Sequence, residues 1–192
     1  MKRILVVNGN SKDSSLCHSL TDAYAQGAIE SGHEVDVIHL SSIEFQSISR
    51  GGYETPQDLE PDLIDLQNKI REASHLVFVY PVWWGSTPAL MKGALERVLL
   101  PGFAFKYEKG SLFQEKLLKG KSARLIVTMD TPPWYYKLVY GAPSHKMMKR
   151  TVLEFCGIKP VKITEFGSVI NSQEKDRLKW LEKARELGVK AT

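Results

Sequence analysis

The sequence predicts an α/β protein: a doubly wound sheet of five parallel strands in the order 2-1-3-4-5, with residues 1–192 forming a single domain. Three observations predict it. Ile4-Leu5-Val6-Val7 and Leu76-Val77-Phe78-Val79-Tyr80 are continuous apolar runs, the pattern of strands covered on both faces. Segments with apolar residues at helical spacing alternate with the strand runs along the chain. A polar or proline-bearing loop closes each strand before the next helix begins.

The first strand, residues 4–7, ends in Asn8-Gly9-Asn10. Ser11, Asp13, Ser14 and Ser15 then supply N-cap chemistry for a helix carrying Leu16, Leu20, Ala23 and Gly27. Ser31-Gly32-His33 stops that helix, and residues 34–40 alternate as a strand nearer the sheet edge. Residues 41–61 form a long polar excursion containing Gly51-Gly52, Pro56 and Pro61. Leu59, Leu63, Leu66 and Ile70 mark the second helix. The third strand, residues 76–80, leads through Pro81 to Thr87 into a helix opened by Pro88 and ended by Pro101. Residues 102–107 and Lys109-Gly110 read as an aromatic loop. Residues 123–128 are the fourth strand, and Pro132-Pro133 makes residues 129–136 a stiff loop that continues neither strand nor helix. A helix over residues 145–155 ends at Gly157, and residues 162–166 form the fifth strand. The last helix starts near Ser172, buries Leu178, Leu181, Ala184 and Leu187, and stops at Gly188.

Composition bounds the function. The chain has 192 residues, enough for a sizeable core, and 43% hydrophobic with 25% charged residues is ordinary for a soluble protein. A net charge of +4, scattered along the chain, gives no nucleic-acid signature. Cys17 and Cys156 have no partner at metal-ligand spacing, so neither a disulfide framework nor a zinc site is expected from them. The apolar run after Met1-Lys2-Arg3 is too short for a signal peptide, and no stretch reaches membrane-span length, which makes the cytoplasm the expected location.

In the order 2-1-3-4-5 the topological switch falls between the first and third strands, where doubly wound sheets bind ligands. The loops 8–15 and 81–87 face each other there, and loop 129–136 borders the crevice. The first loop lacks both the Gly-x-Gly-x-x-Gly and the Gly-Lys-Ser/Thr patterns, against a standard dinucleotide site and an NTPase. Ser11, Ser14 and Ser15 stand where a helix begins, which serves N-capping or the binding of a phosphate dianion. With Trp83 and Trp84 in the second loop and Trp134, Tyr135 and Tyr136 in the third, the crevice suits a planar aromatic phosphate ester, a flavin nucleotide above all.

Five segments carry a family resemblance. They are Pro-x-x-Trp and then Pro-Ala-x-x-Lys-Gly within Pro81-Val82-Trp83-Trp84-Gly85-Ser86-Thr87-Pro88-Ala89-Leu90-Met91-Lys92-Gly93, followed by Glu96-Arg97-Val98, Phe103-Ala104-Phe105-Lys106-Tyr107 and Phe155-Cys156-Gly157. The chain resembles, from Lys2 to about Leu187, the NAD(P)H:quinone oxidoreductases, the flavodoxin-like NAD(P)H dehydrogenases. The resemblance implies a flavodoxin-like fold, a non-covalent FMN or FAD, and a homodimer with sites at the subunit interface. It also implies hydride transfer from NAD(P)H through the flavin to a quinone-like acceptor. Carried over by motif, Asn10, Ser14, Ser15, Leu16 and Cys17 surround the flavin phosphate. Pro81, Val82, Trp83, Trp84 and Gly85 line the ring, joined by Thr128 at the end of the fourth strand and by Asp130 and Thr131 of the third loop. Phe103, Phe105, Tyr107 and Trp134 are the expected acceptor contacts. Tyr135 and Tyr136 are the candidates for a catalytic tyrosine, while His145 is expected as a surface residue at a helix start. No metal is expected.

Two other readings compete. An electron-carrier flavodoxin is usually acidic, whereas this chain has a pI near 9.0. The other is a regulatory ancillary subunit of a potassium efflux system, which binds nucleotide and gates a partner protein; normal quinone turnover with no partner captured would argue against it as the main role.

Overall fold

The computed structural model of the protein describes residues 1–52, 57–107, 110 and 114–192. Pro56 and Lys109, read above as parts of the two loops, lie outside them.

Among the described residues seven strands form two sheets: β1 (Arg3–Asn8), β2 (Glu34–His39), β3 (His75–Pro81), β4 (Phe105–Tyr107), β5 (Gln114–Lys116), β6 (Ser122–Met129) and β7 (Val161–Gly167). Five make a parallel sheet in the order β2-β1-β3-β6-β7. The sheet order read from the sequence is therefore the observed one. Strands β4 and β5 instead pair as a short antiparallel hairpin beside it, where the sequence reading placed a loop.

The apolar runs work as expected because both sheet faces are covered. Ile4, Val6, Val77, Val79 and Ile126 pack with Cys17, Leu20, Tyr24, Ala28, Ala184 and Leu187 of α1 (Leu16–Glu30) and the C-terminal helix, Glu174–Lys190. Leu5, Val7, Leu76, Phe78, Leu125 and Val127 point the other way, onto α2 (Pro61–Glu72) and α3 (Ala89–Val98). Period-two alternation in a strand sends neighbours to opposite cores, so a continuous apolar run is what this layering requires.

Three expectations need correction. Residues 133–138 are a helix, α4 (Pro133–Leu138), because Pro133 occupies its first turn, where no N–H is needed and a φ near −65° already suits the helix. The chain from Pro143 is helical in three pieces: α5 (Pro143–Lys146), a π-helical stretch over Met147–Leu153, and α6 (Glu154–Cys156), ended by Gly157 at φ 100°. In the last helix, α7 (Glu174–Lys190), Leu178 is exposed and Gly188 lies inside the helix.

A buried arginine helps to anchor the excursion after β2. Arg97 of α3 is 2% exposed, and its guanidinium donates to the carbonyls of Gln46 and Asp58 at 2.6 Å each and to Glu60 Oε2 at 3.0 Å. A buried guanidinium needs all its donors occupied. The segment's backbone supplies the acceptors, which ties the long loop to the helix that follows the Trp83-Trp84 loop.

At the other end of the sheet His75 is fully buried, with Nδ1 2.8 Å from Ser122 Oγ. Burial first, then the charges of Lys2, Arg124 and Lys162, push its pKa down to about 3. The unfolded chain takes up this proton near pH 6.5 and the folded one does not, so the contribution to stability present above that value is lost as pH falls towards 3. Urea denaturation should show stability declining by a few kcal/mol through that window. In a His75→Asn variant the decline should be shallower; an unchanged acid profile would rule His75 out as its source.

Candidate functional site

The site is built where β1, β3 and β6 end. Asn8 closes β1, and its Oδ1 accepts the Asn10 N–H at 3.1 Å, while Asn10 Oδ1 accepts the Lys12 N–H at 3.1 Å. These two side chains fold the loop back so that α1 starts beside the strand end. Ser15 is the N-cap of α1, its hydroxyl accepting the His18 N–H at 3.3 Å. The amino end of a 15-residue helix therefore faces the crevice with its partial positive charge.

Across from it, residues 83–86 form a two-residue turn: Trp83 and Ser86 exchange both N–H···O bonds, at 3.0 and 2.9 Å. Trp84 and Gly85 at its tip have φ of 50° and 77°. Glycine adopts this left-handed geometry freely, whereas a bulky side chain pays strain there. Trp84 projects wholly into solvent and Trp83 is 40% exposed.

These loops enclose a cavity of about 310 Å³ lined by Asn10, Ser14, Ser15, Leu16, Cys17, Pro81, Val82, Trp83, Thr128 and Asp130. All ten were expected around the cofactor. An adjoining cavity of about 510 Å³ shares Val82, Met129 and Asp130 with the first and adds the remaining three expected residues, Trp84, Gly85 and Thr131, together with Tyr136, Tyr140 and Pro143. Gly167 at the end of β7 makes room for α4 on this wall, since a Cβ there would sit 2.2 Å from Pro133 Cδ.

Two cations in the first cavity escaped the sequence reading. Lys12 lies in the first loop, and Arg177 arrives from the start of α7, with its Nε 3.0 Å from Ser172 Oγ. Lys12 was visible beside the serines but carried no distinguishing pattern. Arg177 stands on an exposed helix face like several other basic residues there, and only the fold brings it to the crevice.

Burial pushes the Cys17 thiol up to about 11, against which hydrogen bonding to Thr128 acts weakly. Its Sγ lies 3.3 Å from Thr128 Oγ1. Desolvation outweighs the helix terminus, so Cys17 stays a neutral packing group under the cavity floor.

Of the two candidate tyrosines, Tyr136 is the one facing the second cavity. Its ring is buried, its hydroxyl donates to the Gly85 carbonyl at 2.9 Å and accepts the Ser144 N–H at 3.0 Å, and burial raises its pKa. The hydroxyl is thus committed to bracing the strained turn. Tyr135 is half-buried and packs edge-on against Trp134 and Tyr140. Trp134 is exposed on α4 and lines neither cavity of the crevice.

Behind Tyr136 stands His145, a correction to its expected surface position. It is 6% exposed, stacks edge-on with Tyr136 at 5.2 Å, and its Nδ1 is 3.5 Å from Glu165 Oε1. Lys137 pairs with the other Glu165 oxygen. A Tyr136→Phe substitution leaves the Gly85 carbonyl and the Ser144 N–H without their partner, and should cost about 1–3 kcal/mol in urea denaturation. A loss below about 0.5 kcal/mol would show that water replaces the hydroxyl and that the brace is dispensable.

Phe103, Phe105 and Tyr107 are not brought into the crevice. Phe105 and Tyr107 line a separate cavity of about 270 Å³ with Lys92, Glu96 and Phe155, and Phe103 lies under the Arg71 guanidinium, 5.3 Å away.

A family model described as the flavodoxin-like fold matches residues 2–187. The human ribosyldihydronicotinamide dehydrogenase [quinone] is 29% identical over 182 residues, 82% of this chain and 78% of its own length. A protein of Haemophilus influenzae named as an uncharacterized NAD(P)H oxidoreductase is 31% identical over 149 residues, 77% of this chain and 69% of its own. Among solved structures, Smu.1420 from Streptococcus mutans superposes with a TM-score of 0.83 at 27% identity, covering 98% of this chain and 99% of its own. With its sheet order, its crevice and nearly its whole length matched, the chain belongs to the flavodoxin-like family in which these proteins stand.

Proposed function

We propose that this protein is a flavin-dependent NAD(P)H oxidoreductase that delivers a hydride to quinones or comparable two-electron acceptors. The observation that carries the reading is the crevice formed by the three loops, whose first cavity sets Lys12 and Arg177 with Ser14, Ser15 and Trp83 and whose adjoining one adds Trp84, Tyr136 and Tyr140. The names of the human and Haemophilus influenzae relatives support the reaction class.

The donor set fits a flavin nucleotide. The Ser14 and Ser15 hydroxyls, the amino end of α1, Lys12 and Arg177 converge on one end, which suits a phosphate dianion. Pro81, Val82 and Trp83 offer flat apolar surface at the other, with Trp84 and Tyr136 beyond. The pocket takes the flavin mononucleotide unit that FMN and FAD share. When bound, a flavin supplies two-electron exchange between a nicotinamide and an acceptor.

The chain's own residues do the rest. Lys12 and Arg177 hold the phosphate, while the buried Cys17–Thr128 contact shapes the floor without offering a thiolate. Tyr136 keeps the Trp84–Gly85 turn in its left-handed geometry, which fixes the wall of the second cavity. That cavity is the place for nicotinamide and acceptor in succession. Tyr136 acts as a positioning residue, leaving proton exchange to solvent in the open crevice.

The protein works as a homodimer in the cytoplasm in this reading. The exposed Trp83, Trp84, Trp134 and Tyr140 and the separate Phe105–Tyr107 cavity support a second subunit at the crevice mouth. Two buried free cysteines suit a reducing compartment, and among the described residues no helix is long and apolar enough to cross a membrane.

The test is reconstitution with FMN and with FAD, followed by NADH and NADPH oxidation with a quinone and light scattering for mass. Flavin absorbance retained through desalting together with quinone-dependent turnover is expected. Failure of both flavins to bind would sink the reading. Binding with a stable one-electron form and no NAD(P)H oxidation would instead make the protein an electron carrier.

A further inference from the structure

We infer that His18, Asp22 and His39 form a transition-metal site, for a cation of the zinc, nickel or copper class, on the flank of the crevice loop. The three offer ligand atoms that all lie within 4.8 Å of one another. They form the one such group among the described residues. None of them belongs to the cavities of the crevice.

The fold explains the juxtaposition. His18 and Asp22 are four residues apart on α1 and share a face, with His18 Nε2 3.7 Å from Asp22 Oδ2. His39 is the last residue of β2, set beside Asn8 in the sheet register, and its ring lies 4.0 Å from that of His18. Two ligands held tetrahedrally at about 2.0–2.1 Å are about 3.4 Å apart, so the His18–Asp22 pair is already near chelating distance. The widest pair must close by roughly 1.5 Å from its 4.8 Å limit, within reach of partly exposed side chains on fixed backbone. The His18 and His39 planes differ by only 11°, and one ring must turn for both nitrogens to face one ion.

The chemistry of the set selects the ion. Two imidazoles and one carboxylate suit borderline cations over magnesium or calcium, and three protein ligands at partial exposure leave a fourth position for water. His18 Nδ1 is buried with no partner among the described residues, so the ring is not tied down by a competing hydrogen bond on that side.

An outer-shell partner is present. Asn8 Nδ2 lies 3.1 Å from His39 Nδ1, and Asn8 Oδ1 holds the Asn10 N–H. A metal on His39 Nε2 places the ring proton on Nδ1, and Asn8 must then turn its amide to accept it. That turn releases the Asn10 N–H of the crevice loop. Metal occupancy at the flank is thereby felt at the loop that lines the cavity.

The experiment is calorimetric titration of the full chain with ZnCl2 and NiCl2, alongside His18→Gln, His39→Gln and the double variant, with circular dichroism to confirm folding. One saturable zinc per chain is expected, with affinity reduced at least tenfold in each single variant and no saturable site in the double variant. Magnesium should produce no such site. Absence of saturable zinc binding in the folded wild type, or its persistence at full stoichiometry in the folded double variant, overturns the site. An Asp22→Asn variant should weaken zinc by a smaller factor, and unchanged affinity there would remove the carboxylate from the ligand set. These readouts stand whether or not the crevice binds a flavin.

Discussion

Reversing the charge at both Lys12 and Arg177 is expected to lower flavin nucleotide affinity by roughly 30- to 100-fold while leaving riboflavin binding within about threefold of wild type. Both cations line the same cavity as Ser14 and Ser15, although they stand 165 positions apart by residue number (177 less 12). Each is exposed, so each contributes less than a buried pair does, and single reversals should cost about three- to tenfold. Exposure also means the effect shrinks with salt, because screening acts within about 10 Å at 0.1 M. Fluorescence titration with FMN and riboflavin at two ionic strengths separates the contributions. Equal loss for riboflavin would mean that the substitutions damage the pocket, and no loss for FMN would place the phosphate elsewhere.

Replacing Gly188 with alanine should destabilise the protein by about 2 kcal/mol or more, although alanine favours an exposed helix over glycine by about 1 kcal/mol. A Cβ on Gly188 would lie 2.0 Å from the Tyr24 carbonyl oxygen and 2.9 Å from the Ala28 N. Gly27 on the facing helix has the same difficulty, with the Arg185 carbonyl oxygen at 2.1 Å. Both obstructing atoms are backbone, so a side-chain rotation relieves neither contact and α1 and α7 must separate. For a chain of this length the melting temperature should fall by about 4–8 °C. A Gly27→Ala, Gly188→Ala double variant should lose less than the summed singles, because one separation of the helices serves both. A raised melting temperature in either single variant would show that helix propensity prevails over packing. Since α7 also carries Arg177, the same variants should weaken FMN binding beyond their effect on stability.

The two experiments bear on how the site was legible. The crevice could be read from three loops because each follows a strand whose apolar run is a local signal, and the parallel order then dictates which strand ends meet, while its individual wall residues came with the family resemblance. Arg177 could not be read that way. Its place depends on Gly27 and Gly188 letting α7 lie against α1, a contact between segments far apart in the chain. Tyr136 is a candidate catalytic tyrosine by residue type, and its hydroxyl's bonds to Gly85 and Ser144 are contacts that a tyrosine in a Pro-Pro loop does not announce.

Errors at the element level have physical causes too. Pro132-Pro133 reads as a break in any local scheme, yet a proline in the first turn costs a helix nothing, and α4 begins there. Leu178 fits an apolar helical stripe, but α7 meets its neighbours along Ala184, Leu187 and Gly188 and leaves Leu178 to solvent. His145 reads as a surface residue at a helix start, and it is buried between Tyr136 and Glu165 of β7, which only the fold brings to it.

Strand identity, sheet order and the three-loop crevice followed from the chain's local patterns, since alternation, capping and apolar runs act over a few residues. The cationic end of the crevice, the commitment of Tyr136 to Gly85 and the meeting of His18 and Asp22 with His39 arose only when distant segments packed together. Those features are set by side-chain contacts across the fold, and no residue's own neighbours in sequence encode them.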